Sequence, residues 1–432
     1  MLHTALAVGM LLAGLALPPR PADAWQLRVG SNLHSPGGDV AIDSRGDVVG
    51  STERRVGSKR FPEVVKLSAE RGRQQWRRSF DDDRAYINAL ETTADDDVIA
   101  VVQLGPVGKG FSVVRLAAAD GSVVWRHDVA AMSRRDRFAD LTLDPAGDVI
   151  VGAGIDDRIV VLALRGTDGT ERWRSELLTP LARYVSANEV AVAPDGDVVV
   201  AGDTSAPGAV VARLDGSTGA TRWTRDFPHL GDPRGLAVDR DGTVAFGAYF
   251  AVVRQPLNPN SRFTVVLLGA SGELTWERRI EPADGRSTGG YVAATAFLPD
   301  GDVVATGSVD DDVATVRLAR TTGDVVWRHD LDGEPGLLAR TPDGDLVVGA
   351  DVFNGRTCWD FVLLDLSSTT GTERGRRRMR GRAANDHSGC SSGVNDDGLR
   401  ALAVSDLGVA IAARVGDPRG PRRLIARFPL VR

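Results

Sequence analysis

Apolar positions along this chain come in short runs rich in Val, Ala and Ile, and each run is broken by a turn rich in Asp and Gly. No stretch sustains an apolar repeat of 3.6 residues, so the pattern predicts strands and excludes a helical solenoid. One turn recurs through the chain as "SRGDVV", "DDDVIA", "PAGDVI", "PDGDVV", "RDGTVA", "PDGDVV", "PDGDLV" and "SDLGVA". Asp and Gly supply the positive-φ positions of a tight hairpin between two strands, here called a and b. After a variable loop comes a third strand, c, such as "FSVVRL". A second Gly turn then leads into a fourth, d, which carries tryptophan.

That fourth strand sets the period. "GRQQW", "GSVVW", "GTERW", "GATRW", "GELTW" and "GDVVW" end at Trp76, Trp125, Trp173, Trp223, Trp276 and Trp327, neighbours lying 48 to 53 residues apart. Their glycines are Gly72, Gly121, Gly169, Gly219, Gly272 and Gly323. A seventh copy keeps Gly371 but has Gly375 where Trp is expected. Four short strands every 50 residues or so predict the blades of a β-propeller, each sheet burying its faces against its neighbours. Eight a–b turns are present, yet the last unit stops after its third strand, while "WQLRV" at Trp25 is a fourth strand with nothing before it. Joined, these fragments complete an all-β ring of eight four-stranded antiparallel blades, closed by the N-terminal strand.

Residues 1–24 read as a secretory leader: an apolar run from Ala5 to Leu17, Pro18 and Pro19, then Ala22-Asp23-Ala24. A single propeller domain is then expected over 25–432, 408 residues or 51 a blade, periplasmic or secreted. Nothing later approaches the roughly 20 apolar residues of a membrane-spanning helix. Export makes Cys358 and Cys390 a candidate disulfide, with Cys358 expected in the b–c loop of the seventh blade and Cys390 in the connection leaving it.

The ending D-x-x-T-G-x-x-x-W, fullest at Asp215, Thr218, Gly219 and Trp223, resembles the tryptophan-docking repeat of the pyrroloquinoline-quinone-like propeller superfamily. The resemblance runs over essentially all of 25–432. It implies the eight-bladed fold and two very different kinds of member: quinoprotein alcohol and glucose dehydrogenases, and a non-catalytic lipoprotein propeller of outer-membrane assembly. The dehydrogenases place two adjacent cysteines over the quinone, a Trp beneath it, and Glu, Asn and Asp around calcium. Here the cysteines stand 32 positions apart, and seven of the eight tryptophans occupy the repeat position. Trp359, in a third strand, is read as inter-blade packing. The lipoprotein comparison lacks its cysteine at the cleavage point.

In a propeller the b–c and d–a loops share one face, and the longest of them here are 248–262, 280–291 and 379–398. That face is the expected binding surface. Acidic groups gather there: Asp81 to Asp83, Asp156 and Asp157, Asp310 to Asp312, Asp396 and Asp397. Their spacing matches no calcium loop. His127 and His329 recur in "WRHD", where a polar outer strand discourages sheet-edge association. His34, His229 and His387 lack metal-ligand spacing. The run "RGRRRMRGR", 374–382, suits either a charged edge strand or an anionic partner. A net charge of −6 on an exported chain argues against nucleic acid. The expectation is a monomeric, exported binding or scaffold propeller with a protein, glycan or envelope partner and no cofactor, with calcium binding by the acidic loops left open. A pyrroloquinoline-quinone and calcium oxidoreductase is the rival; a lyase or hydrolase using channel carboxylates is a third class.

Overall fold

The computed structural model describes residues 24–29, 39–82, 85–104, 110–130, 137–156, 158–177, 185–204, 208–250, 262–282, 289–310, 312–354, 358–379, 398–415 and 422–430. All its regular structure is antiparallel β, arranged as eight four-stranded sheets. Blades 1 to 7 span 40–79, 86–129, 137–177, 185–227, 230–280, 290–332 and 334–379, each with its strands in the order a-b-c-d. Contacts between the a strands of successive blades run unbroken round the ring, blade 8 to blade 1 included. The a strands therefore line a central bore. No helix among the described residues is long and apolar enough to cross a membrane.

Blade 8 takes three strands from 398–428 and its fourth from Trp25–Val29, which pairs antiparallel with Arg422–Phe428 from Trp25↔Arg427 to Val29↔Arg423. The ring is thus closed by hydrogen bonds between the two ends of the chain. The b and c strands are buried on both faces, as in Val149–Ile155 and Phe263–Leu268, and so read as continuous apolar runs. The d strands alternate, leaving Val123, Val124, Val325 and Val326 at the rim exposed.

The tryptophan of each d strand reaches the c–d turn of the next blade. Its indole Nε1 donates to the carbonyl of Ala69 (from Trp25), Ala118 (Trp76), Gly166 (Trp125), Gly216 (Trp173), Ala270 (Trp223), Arg320 (Trp276) and Ser368 (Trp327), all at 2.8 to 3.0 Å. Its ring lies flat on the turn glycine. A Cβ at Gly169 would sit 2.5 Å from the Trp125 ring, and Gly72, Gly121, Gly219, Gly272, Gly323 and Gly371 receive their neighbours' rings as closely, within 2.8 Å. Glycine is thus needed twice over, for a φ near +70° and for the absence of a side chain.

Two further residues hold the same docking residue, one by its N–H and one by its carbonyl. The Asp of the a–b turn accepts from the backbone N–H of the docking residue: Asp47 from Ala69, Asp97 from Ala118, Asp148 from Gly166, Asp302 from Arg320 and Asp345 from Ser368. In blades 2, 4 and 6 an arginine late in strand c ion-pairs with that Asp or its counterpart and donates to the next blade's carbonyl: Arg115 to Gly166, Arg213 to Ala270, Arg317 to Ser368. Lys66 and Arg427 hold the equivalent place in blades 1 and 8. Lys66 is fully buried against Asp43 at 2.7 Å. A charge so placed is tolerable only because it is paired.

Blade 7 departs from this scheme, with Gly375 opposite Asp365 where other blades set Trp opposite a cation or apolar residue. The physical reason is the ring closure. The third and fourth strands of blade 8 come from opposite ends of the chain, so no c–d turn joins them and there is nothing for a tryptophan to dock on. The joint is made instead by Arg377 over the Phe428 ring, 5.5 Å from its centroid, and by Leu430 against the shared core.

Candidate functional site

The bore is built from inner strands that break register at one recurring place. Strand a skips Asn88, Ala139, Asn188, Ala293, Gly336 and Arg400 in blades 2, 3, 4, 6, 7 and 8. A bulge sets two residues against one and turns backbone N–H groups out of the ladder. Carboxylates collect the freed donors. Asp39 accepts from Val40 N at 2.8 Å and from Leu90 N of blade 2 at 2.7 Å. Asp140 accepts from Leu141 N and from Val190 N of blade 4, while Glu189 accepts from Gly235 N and Leu236 N of blade 5. Asp351 takes Leu399 N of blade 8 at 3.0 Å. Each acid thus ties its blade to the inner strand of a later one, Asp351 doing so from the second strand of blade 7.

These acids sit close enough to perturb one another. Burial raises Asp140 to about 6, against the opposing pull of its two amide donors. Glu189 rises to about 7 through burial and then the charge of Asp140. Glu91 also rises to about 7, by burial and then by Asp39 and Asp140. Glu91 is nonetheless an exposed residue, so solvent moderates that shift. Further round, burial and then Asp232 raise Asp203 to about 6. Arg234 donates to Asp232 at 2.8 Å, and Asn188 reaches the same carboxylate. Burial raises the Tyr249 and Tyr291 hydroxyls, Asp232 and Glu334 adding to it respectively. The bore is therefore lined along its length by carboxylates with raised values, and its long-loop end adds two phenols and one guanidinium.

The acidic groups singled out from sequence lie elsewhere. Asp156 and Asp310 occupy positive-φ turns of b–c loops, Asp312 begins a strand, and Asp81 is exposed. Asp83, Asp157, Asp311, Asp396 and Asp397 fall outside the described residues, as do 251–261, 283–288 and 380–397 of the long loops. Among the described residues no three His, Cys, Asp or Glu side chains are placed to hold a metal ion. Cys358 is not in a loop: it begins the third strand of blade 7, opposite Asn354. The ladder there runs to the Asn354–Cys358 pair, further than the apolar pattern indicated. The Cys358 side chain, that of Trp359, and all of Cys390 lie outside the described residues. His229 Nε2 is 2.8 Å from Glu277, His127 and His329 lie in outer strands, and His34 and His387 are not described.

The described arginines of the run, Arg374 to Arg378, are engaged within the protein, and Arg380 and Arg382 lie outside the described residues. Arg374 pairs with Asp345, Arg376 with Glu373 and Arg378 with Asp360, while Arg377 covers Phe428. The bore acids escaped the sequence reading because each is a single residue inside an apolar strand, in "GGDVAI", "FADLTL" and "SANEVAV". The available signal was an acid just after the first small residues of strand a, in three of the first four blades.

The structure resembles BamB from Moraxella catarrhalis at a TM-score of 0.52 and 16% identity, covering 93% of this chain and 100% of that one. The Dos1 propeller aligns at 0.62 and 10% identity over 94% and 95% of the two chains. The quinohemoprotein alcohol dehydrogenase from Comamonas testosteroni aligns at 0.54 and 11%, over 95% of this chain and 78% of that one. At such identities these likenesses speak to the fold. No curated protein sequence matches the chain. The family model PQQ_2, described as Outer membrane protein assembly factor BamB, matches residues 22–205, 60–249 and 207–419, with the Trp–Gly docking repeat running through all three matches. The chain belongs to that family, within the pyrroloquinoline-quinone-like propeller superfamily.

Proposed function

We propose that this protein is an exported, non-catalytic scaffold that holds a protein or envelope partner on the long-loop face of its propeller. One observation carries the reading. The best-placed carboxylates of the bore, Asp39, Asp140 and Glu189, are spent on backbone amides of the adjoining blade. An acid that already accepts two amide hydrogen bonds is a brace, and using it as a general base would open the joint it holds. The family, described as an outer membrane assembly factor, supports a protein partner and export. In this reading residues 1–24 are the secretory leader, and no quinone or metal is needed.

The test uses a photo-crosslinking residue at Ser58, the tip of the blade 1 b–c hairpin on the long-loop face, and at Ala146, an a–b turn on the opposite face. Crosslinking in intact cell envelopes is expected to give a discrete adduct from position 58 and none from 146. Adducts from 146 alone would overturn the assignment of the face. Separately, the purified chain is equilibrated with pyrroloquinoline quinone and calcium. Stoichiometric quinone absorbance with dye reduction by alcohols or sugars would overturn the non-catalytic reading.

A further inference from the structure

The joint between blades 4 and 5 differs from the others in two independent ways. First, the c–d turn of blade 5 is one residue shorter. Gly272 N bonds to the carbonyl three positions back, at Gly269, whereas Gly72, Gly121, Gly169, Gly219, Gly323 and Gly371 bond four positions back. Second, "RDGTVA" puts Thr243 where the a–b turns of blades 1, 2, 3, 6 and 7 carry the Asp that braces their c–d turn. Thr243 instead accepts from Arg320 at 3.0 Å. The turn still meets the Trp223 ring, but it is short and lacks the Asp brace. It leaves a cavity of about 530 Å³ on the turn face, lined by Trp223, Arg213, Arg222, Arg240 and Asp195 among others. Trp223 keeps its hydrogen bond to Ala270, but in an exposed setting, where the other six docking bonds are buried or half-buried.

The charges in this cavity are not equivalent. Arg213 is held by Asp195 and Asp197, and Arg222 by Asp197 and Asp215. Asp241 is held by Arg320. Arg240 donates only to the Pro299 carbonyl, at 2.8 Å, and has no carboxylate partner among the described residues. A cavity lined by a partly exposed indole and by an arginine without a carboxylate partner among the described residues recognises a flat apolar group by stacking and a carboxylate by charge-assisted hydrogen bonding.

We propose that the blade 4–5 cavity is a binding site for a flat aromatic group bearing a carboxylate, whether a small aromatic acid or the C-terminus of a peptide ending in an aromatic residue. The site is on the face opposite the proposed partner surface and stands independently of that proposal.

The probes are indole-3-acetate and its uncharged amide, titrated into the full chain and followed by ligand-observed NMR. The acid is expected to bind in the range of about 0.1 to 1 mM, and the amide at least roughly five-fold more weakly, as befits one small pocket. Arg240→Gln, at an exposed side chain, is expected to bring the acid down to the amide. One glycine inserted between Ala270 and Ser271 restores the longer turn and is expected to abolish binding of both. Comparing indole-3-acetate with Gly-Gly-Trp, free or amidated at its C-terminus, ranks the two sources of the ligand. No binding of the acid at about 5 mM, an acid preference that survives Arg240→Gln, or binding that survives the insertion would each overturn the proposal.

Discussion

Gly147 and Gly169 of blade 3 allow the docking contact to be weighed apart from backbone strain. Both adopt positive φ, +82° and +71°. A Cβ on Gly147 meets nothing within 4 Å, whereas one on Gly169 lies 2.5 Å from Cε3 and 2.7 Å from Cδ2 of Trp125. Alanine at either position costs roughly 1–2 kcal/mol for the left-handed backbone. At Gly169 it must also displace the Trp125 ring, which is 7% exposed and packed in the core shared by blades 2 and 3. Overpacking of that kind adds about 1–3 kcal/mol. Urea unfolding followed by tryptophan fluorescence, compared at constant m, should therefore show Gly147→Ala losing about 1–2 kcal/mol and Gly169→Ala about 2–5 kcal/mol. In a Trp125→Leu background the excess should disappear, since the two residues are in contact and their effects are coupled. Equal losses from the two alanines, or an excess that persists without Trp125, would refute the argument that Gly169 is required by the indole.

Stability should fall as pH rises from about 4 to about 7. Glu91, Glu189, Asp140 and Asp203 have raised values in the fold, so across that window the native state binds more protons than the unfolded chain, and ionising them weakens it. Glu91→Gln should flatten this dependence, leaving the melt at pH 5 unchanged and stabilising the protein at pH 8 by up to about 1 kcal/mol, water in the bore screening the larger gain of a dry site; a destabilised variant at pH 8 would contradict the assignment. Removing residues 25–29 strips the outer strand from blade 8 and should cost about 3–5 kcal/mol through Trp25 alone, with a sharply lower melting temperature; an unchanged melt would contradict ring closure by this strand. Gly375→Trp should leave stability within about 0.5 kcal/mol of the parent or lower it, because blade 8 offers no c–d turn to dock on; a gain above about 1 kcal/mol would show a dock that the topology denies.

The repeat could be read from sequence because its parts are local. The a–b turn needs glycine for φ, the strands need runs of apolar residues, and the Gly-x-x-x-Trp spacing lies within a single turn and strand, so composition and period were enough for blade number and closure. Even the degenerate seventh copy, Gly375, was visible. Its reason was not, since that reason lies in blade 8, whose outer strand comes from the far end of the chain. The same limit hid the functional surfaces. Asp39, Asp140 and Glu189 are lone acids in apolar strands, and only the curvature of the ring sets them against the bulged amides of the next blade. The blade 4–5 cavity arises from one missing residue after Leu268 and one Thr at 243, small changes whose effect depends on which turn faces which indole. Sequence determined the blade, because its constraints act within one hairpin or the next. Tertiary structure decided the bore and the cavity, because each is made between residues about 50 positions apart that meet only when neighbouring blades pack.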